Sequence, residues 1–289
     1  MKVIRHDIVY KSRLAVIKIK PLYDLHIGAF SCDEQKIQED VDTILKDPLM
    51  FTIIGGDVCE FINRSDKRHS EEGMAKWLHG HGDIAQKQID RAVELLAPLA
   101  KKNKVLAVMN GNHEASIAQK YERDVYAELV RHLRRSDGVH IGLGYAGWVQ
   151  VNMKRINRSA TSPTPKTGSD IWCIDLWLSH GYGGGILEGG HSLTLGRVFK
   201  SYDADLVLMG HRHVFSSVRN VQLGLSPRGM VTERTQVAAF CGSYRNSWKQ
   251  DNSVPAPGAS YEQIKGYPPH ECGSPMVEID PTRRTIHIK

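Results

Sequence analysis

Along this chain, short apolar runs repeatedly stop at a polar cluster. RLAVIKIKPLY (13–23) runs into Asp24-Leu25-His26, and LMFTII (49–54) into Gly55-Gly56-Asp57. VLAVM (105–109) meets Asn110-Gly111-Asn112-His113-Glu114, IWCIDLWL (171–178) meets Ser179-His180-Gly181, and ADLVLM (204–209) meets Gly210-His211-Arg212-His213. Runs this short, rich in Val, Ile, Leu and aromatics and ended by Gly or Asn, predict buried strands. Between them the spacing turns helical. Residues 33–46 set Ile37, Val41, Ile44 and Leu45 on one face, with Ser31 and Glu34 as a capping-box start. Residues 71–100 carry Ile89, Val93, Leu96 and Leu99 as core positions. Residues 115–135 carry Ile117, Tyr121, Val125, Leu129 and Leu133 at helical steps, and a short helix is expected around 192–201.

Strand–helix alternation predicts an α/β fold with a largely parallel sheet. Sheets of that kind bind ligands beyond the carboxyl ends of their strands. All five polar clusters follow strands, so they are expected to meet along one rim. NRSATSPTPKTGS (157–169) reads as an exposed, mobile loop, residues 245–275 as polar connective chain, and PMVEIDPTRRTIHIK as a closing hairpin. The whole, residues 1–289, reads as a single domain with an insertion at about 61–100.

Composition narrows the class. The 289 residues are 41% hydrophobic and 24% charged, without an apolar run of about 18 residues, so no membrane span is expected. Charges interrupt every apolar stretch of the N-terminal 20 residues, which argues against a signal peptide, and a cytoplasmic protein is expected. The five cysteines are scattered with no CxxC spacing, which speaks against a disulfide framework or a cysteine zinc site. A net charge of +6 suits an anionic substrate, but there is no dense Lys/Arg tract of a nucleic-acid tail.

The clusters carry chemistry. A mixed Asp/His/Asn inventory suits two borderline divalent ions better than a lone Mg2+. In an extended segment, Asp24 and His26 point to the same side and can share one ion; the plain alternative for such a triplet is a surface turn. Asp57, isolated in a Gly-Gly-Asp turn, has two oxygens with which to bridge. Asn112 can ligate without adding charge and His113 can handle a proton, although a Gly-Asn turn explains the same residues. His211 and His213, released from a strand by Gly210, suit two nearby ions.

In order, the clusters read DxH, GDxxE, GNHE, H and GHxH. That order resembles the calcineurin-like metallophosphoesterases from about residue 14 to 245. The resemblance implies a two-sheet β-sandwich flanked by helices. It places Asp24, His26, Asp57 and His213 on a first ion and Asp57, Asn112, His180 and His211 on a second. It further implies His113 as a proton-handling residue beside the scissile phosphate and Glu114 as the group that orients it. Glu60, Arg64 and Arg212 are expected behind the ligands or against substrate. The expected cofactor is two divalent ions, Mn2+ before Fe, Zn2+ or Ni2+.

The implied activity is hydrolysis of a phosphate ester by a hydroxide bridging the ions. His113 leans the reading toward a phosphodiester, since an alkoxide leaving group gains from a proton donor. Basic charge and the glycine run His180-Gly-Tyr-Gly-Gly-Gly185, similar to that of phage- and prophage-encoded members, lean it toward a nucleotide or DNA. A repair-type exonuclease or endonuclease, a phosphomonoesterase and a non-catalytic scaffold on the same fold are the alternatives.

Overall fold

The computed structural model describes residues 1–62, 64, 66–156, 167–185, 187–246, 248, 266 and 268–289. Of the loop expected at 157–169, residues 157–166 lie outside this description and 167–169 instead open a strand; the side chains of residues 167–170 are not described.

Two six-stranded sheets face each other. In the first, β1 (Lys2–Tyr10), β6 (Ala146–Ile156), β7 (Thr167–Ser179), β8 (Leu206–Met209), β10 (Val231–Cys241) and β9 (Phe215–Leu225) lie side by side in that order. In the second the order is β12 (Thr285–Ile288), β11 (Val277–Asp280), β2 (Ile17–Leu22), β3 (Met50–Ile54), β4 (Val105–Met109) and β5 (Gly142–Gly144). This is the two-sheet sandwich flanked by helices. The sheets are mixed rather than largely parallel, because β6–β7, β9–β10, β11–β12 and β2–β11 pair antiparallel. The tail forms the expected hairpin.

The core follows from the alternation. Ile4, Ile8 and Tyr10 of β1, Val149, Val151 and Met153 of β6, and Ile174, Leu176 and Leu178 of β7 face Ile17, Ile19 and Ile53 of the second sheet. The second sheet is buried on its outer side as well. There α1 (Glu34–Lys46), α2 (Ile84–Lys101) and α4 (Val125–His132) lay Ile37, Val41, Ile44, Ile89, Leu96, Leu99 and Leu129 against it. Helix α5 (Glu188–Ser201) covers part of the first sheet through Leu195, Val198 and Phe199. Helix α2 fills the stretch from Ile84 on, and among the described residues before it there is one short helical turn at Lys76–Leu78.

Two helix boundaries differ from the sequence reading. Helix α1 is capped by Asp33, whose side chain accepts from the Lys36 N–H, and not by Ser31. Residues 115–135 form two helices, α3 (Asn112–Tyr121) and α4, because Glu122 turns left-handed and Asp124 caps a fresh start by accepting from the Ala127 N–H. No helix among the described residues is long and apolar enough to cross a membrane.

Candidate metal centre

The carboxyl ends of β2, β3, β4, β7 and β8 converge where the two sheets share a rim. The strand-end loops zip together through their backbones: Asp24 N–H donates to Gly56 O (3.2 Å), His26 N–H to Asp57 O (3.0 Å) and Gly210 N–H to His180 O (3.0 Å). To turn this tightly, Asp24, His26, Asp57, His211 and His213 all take left-handed backbone, with φ between +46° and +71°. Two glycines make the approach possible. A Cβ on Gly111 would sit 2.1 Å from Asp57 Oδ1, and one on Gly210 would sit 2.5 Å from Asp24 Oδ2.

One group that could hold a metal ion is Asp57, His180 and His211, whose donor atoms lie within 4.8 Å of one another. Asn112 Oδ1 stands 3.0 Å from His180 Nε2 and 2.8 Å from His211 Nδ1, and Asp57 Oδ2 is 3.3 Å from His180 Nε2. His180 Nδ1–H donates to Gly55 O (3.0 Å), which aims Nε2 at the group. Burial would lower the His180 imidazole, but Asp57 raises it to about 10. A proton and a divalent ion compete for that same Nε2 lone pair.

The other group is Asp24, His26 and His213. His26 Nε2 and His213 Nε2 are 3.0 Å apart, and Asp24 Oδ1 is 3.7 Å from the latter. Asp24 Oδ2 accepts from the His211 N–H (2.7 Å), while its buried Oδ1 has no hydrogen-bond partner. A buried carboxylate oxygen left without a donor is costly, and a cation is the partner that suits it. Burial lowers both His26 and His213, which keeps their imidazoles in the neutral form that ligates. These residues fit a pair of divalent ions.

Behind them, His26 Nδ1–H donates to Glu60 Oε2 (2.6 Å), and Arg245 lies 3.5 Å from the same oxygen. Burial would raise Glu60, but Arg245 and His26 bring it down to about 2. Glu60 also converges with His26 and His113. Its Oε2 is taken up by the His26 Nδ1–H.

Two expectations need correction. Glu114 does not orient His113: its carboxylate accepts from the backbone N–H of Asp57 (3.0 Å), Val58 (2.8 Å), Cys59 (3.3 Å) and Gly111 (3.0 Å). Four donors in the tight turn outcompete one imidazole. The His113 ring is held by Nδ1 donating to the Glu60 carbonyl, and its Nε2 lies 4.0 Å from Asp57 Oδ2. Arg64 is exposed and does not line the site cavity, where Arg68 takes that place.

Arg212 does line it. Its guanidinium bonds Thr194 Oγ1 (3.1 Å), and its Cζ lies 5.0 Å over the Phe240 ring. Gly183, Gly184, Gly185, Arg245 and His270 line the same cavity. The sequence reading missed Arg245, and with it Ser243, whose hydroxyl donates to Asp24 O (2.9 Å). Both follow AAFC at the end of β10, the same strand-then-polar pattern as the five motifs.

No curated protein matches the sequence. Among solved structures, a conserved uncharacterized protein from Streptococcus pneumoniae, described as a predicted phosphoesterase, is 14% identical. That match covers 92% of this chain and 84% of the other, with a TM-score of 0.34. Wild-type Vps29 of Entamoeba histolytica, complexed with Zn2+, is 11% identical over 94% of this chain and 97% of its own, with a TM-score of 0.32. The family model described as calcineurin-like phosphoesterase matches residues 24–215, a span that includes every strand-end motif from Asp24 to His213. The chain belongs to the calcineurin-like phosphoesterase family.

Proposed function

We propose that this protein hydrolyses a phosphodiester of a nucleotide or nucleic acid, with Mn2+ as the first choice of metal. Asp24, His26, Asp57 and His213 would hold one ion and Asp57, Asn112, His180 and His211 the other. The observation that carries this reading is the buried, unpartnered Asp24 Oδ1 facing His213 beside the Asp57–His180–His211 group. Bound there, such ions would supply a lowered pKa for water and neutralise charge on phosphoryl oxygens.

The chain's own residues do the rest. His113, fixed at Nδ1 by the Glu60 carbonyl, is left with Nε2 to pass a proton to the leaving oxygen. Arg68, Arg212 and Arg245 give the cavity wall its positive charge, which draws an anionic ester toward the ligands. Gly183 to Gly185 let a phosphate approach the backbone closely.

The test is metal content together with an assay in Mn2+ that compares a chromogenic phosphodiester, a phosphomonoester and single-stranded DNA. Close to two ions per chain with turnover of the diester is expected. Turnover of the monoester alone would overturn the diester assignment, and a chain without metal or turnover would overturn the enzyme.

A further inference from the structure

Arg68 lines the site cavity from a surface turn, with 41% of its side chain open to solvent. An arginine that exposed usually samples many rotamers, and gripping a ligand then costs the entropy of stopping them. Asp66, two positions earlier, removes that freedom. Its Oδ1 accepts the Arg68 backbone N–H (3.0 Å) and Nε–H (3.1 Å), and its Oδ2 accepts Nη2–H (3.1 Å). Both carboxylate oxygens thus meet the planar fork side by side, the geometry in which an Arg–carboxylate pair is strongest. The Asp66 side chain is only 14% exposed, and Lys120 Nζ of α3 stands 3.5 Å from its Oδ2. The first turn of that same helix supplies Asn112 and His113.

Charge alone gives Asp66 the wrong sign for this place. A carboxylate beside a cavity arginine cancels part of the field that draws an anionic ester. Its benefit has to be geometric. We propose that Asp66 is a positioning residue, which holds the Arg68 guanidinium at the cavity wall in readiness for a phosphate oxygen. The role rests on the phosphodiester reading and adds to it a residue that need not touch the substrate. Preorganisation of this kind lowers the cost of binding and leaves the chemical step alone, so it belongs in KM. The Arg68 bonds also hold the Asp66 carboxyl below the usual carboxylate range, so the pair persists through neutral pH.

Asp66→Asn in the full chain, assayed in Mn2+ on the chromogenic phosphodiester, tests this. The amide oxygen can still accept the Arg68 backbone N–H, so the turn is kept while the charge that grips the fork is lost. We expect KM to rise roughly threefold to tenfold with kcat within about twofold of wild type. Asp66→Asn combined with Arg68→Ala should be no worse than Arg68→Ala alone, because the acid acts only through the arginine. In 1H–15N spectra the Arg68 Nε–H should be rigid in the wild type and averaged in Asp66→Asn. An unchanged or lowered KM in Asp66→Asn would overturn the proposal, a lowered one being what charge alone predicts. So would losses that simply add in the double variant, or an Arg68 Nε–H equally mobile in both chains. A wild-type chain that turned over no ester would count against the phosphodiester reading, and the Nε–H signal would still decide whether Asp66 holds Arg68.

Discussion

The carboxylate of Glu114 closes the Asp57 turn, accepting the Asp57 N–H at 3.0 Å and the Val58 N–H at 2.8 Å from the first turn of a neighbouring helix. Glutamine would present an N–H2 to backbone donors. We expect Glu114→Gln to destabilise the fold by about 2–4 kcal/mol and to lower metal content, because the turn that aims Asp57 loses its anchor. Urea unfolding and metal analysis check this. A variant of wild-type stability with full metal content would show that the clamp is dispensable.

His113 touches the site differently. Its backbone N–H bonds Asp57 Oδ1 at 2.9 Å, a contact that survives truncation of the ring. His113→Ala should therefore keep both ions and lose roughly 100-fold or more in kcat. Wild-type turnover would remove His113 from the chemistry.

Two arginines separate substrate contact from mere charge. Arg68 lines the cavity and Arg64 does not. We expect Arg68→Ala to raise KM roughly tenfold, the effect of about 1.4 kcal/mol, with Arg64→Ala unchanged. Equal effects of the two substitutions would mean that only general electrostatics is at work.

The glycines can be sorted in the same way. Gly111→Ala forces a methyl group onto the Asp57 carboxylate and should cost more than about 3 kcal/mol or leave the chain insoluble. Gly184→Ala meets no atom within 4 Å and should fold normally. A thermal melt of each decides the matter.

Away from the candidate metal centre, His6 provides a pH test. Its ring Nε2–H donates to Leu106 O (2.8 Å), and burial, with a smaller push from Arg135, lowers its pKa. Leu106 O, Asp137 and Asp7 oppose that shift. The folded chain thus takes up this proton less readily than the unfolded chain, whose His titrates near 6.5. Stability from His6 is present above about pH 6.5 and is lost as pH falls toward the folded pKa, by at most about 1.4 kcal/mol per pH unit. In His6→Gln this part of the slope should vanish, as urea melts at several pH values would show.

The motifs were legible because each needs a fixed residue at a strand end. Asp57, Asn112, His180, His211 and His213 all lie where strand-then-polar reasoning places them. What escaped had weaker local signals. Strand β1 hides its alternation of Ile4, His6, Ile8 and Tyr10 among charges that read only as interruptions. The β9–β10 ribbon has few neighbours to give it an apolar run on both faces. Ser243 and Arg245 belong to a sixth strand-end cluster without an acidic or histidine ligand. The role of Glu114 was misread because its neighbour in sequence, His113, is not its partner in space.

The left-handed backbone at Asp24, His26, Asp57, His211 and His213 bears on folding order. Non-glycine residues avoid that conformation by roughly 1–2 kcal/mol each, so none of these turns is favoured in a free chain. They can hold only after β2, β3 and β8 are aligned, which places them late on the folding path. Substitutions at these five positions should then register in the unfolding rate while leaving the refolding rate almost untouched.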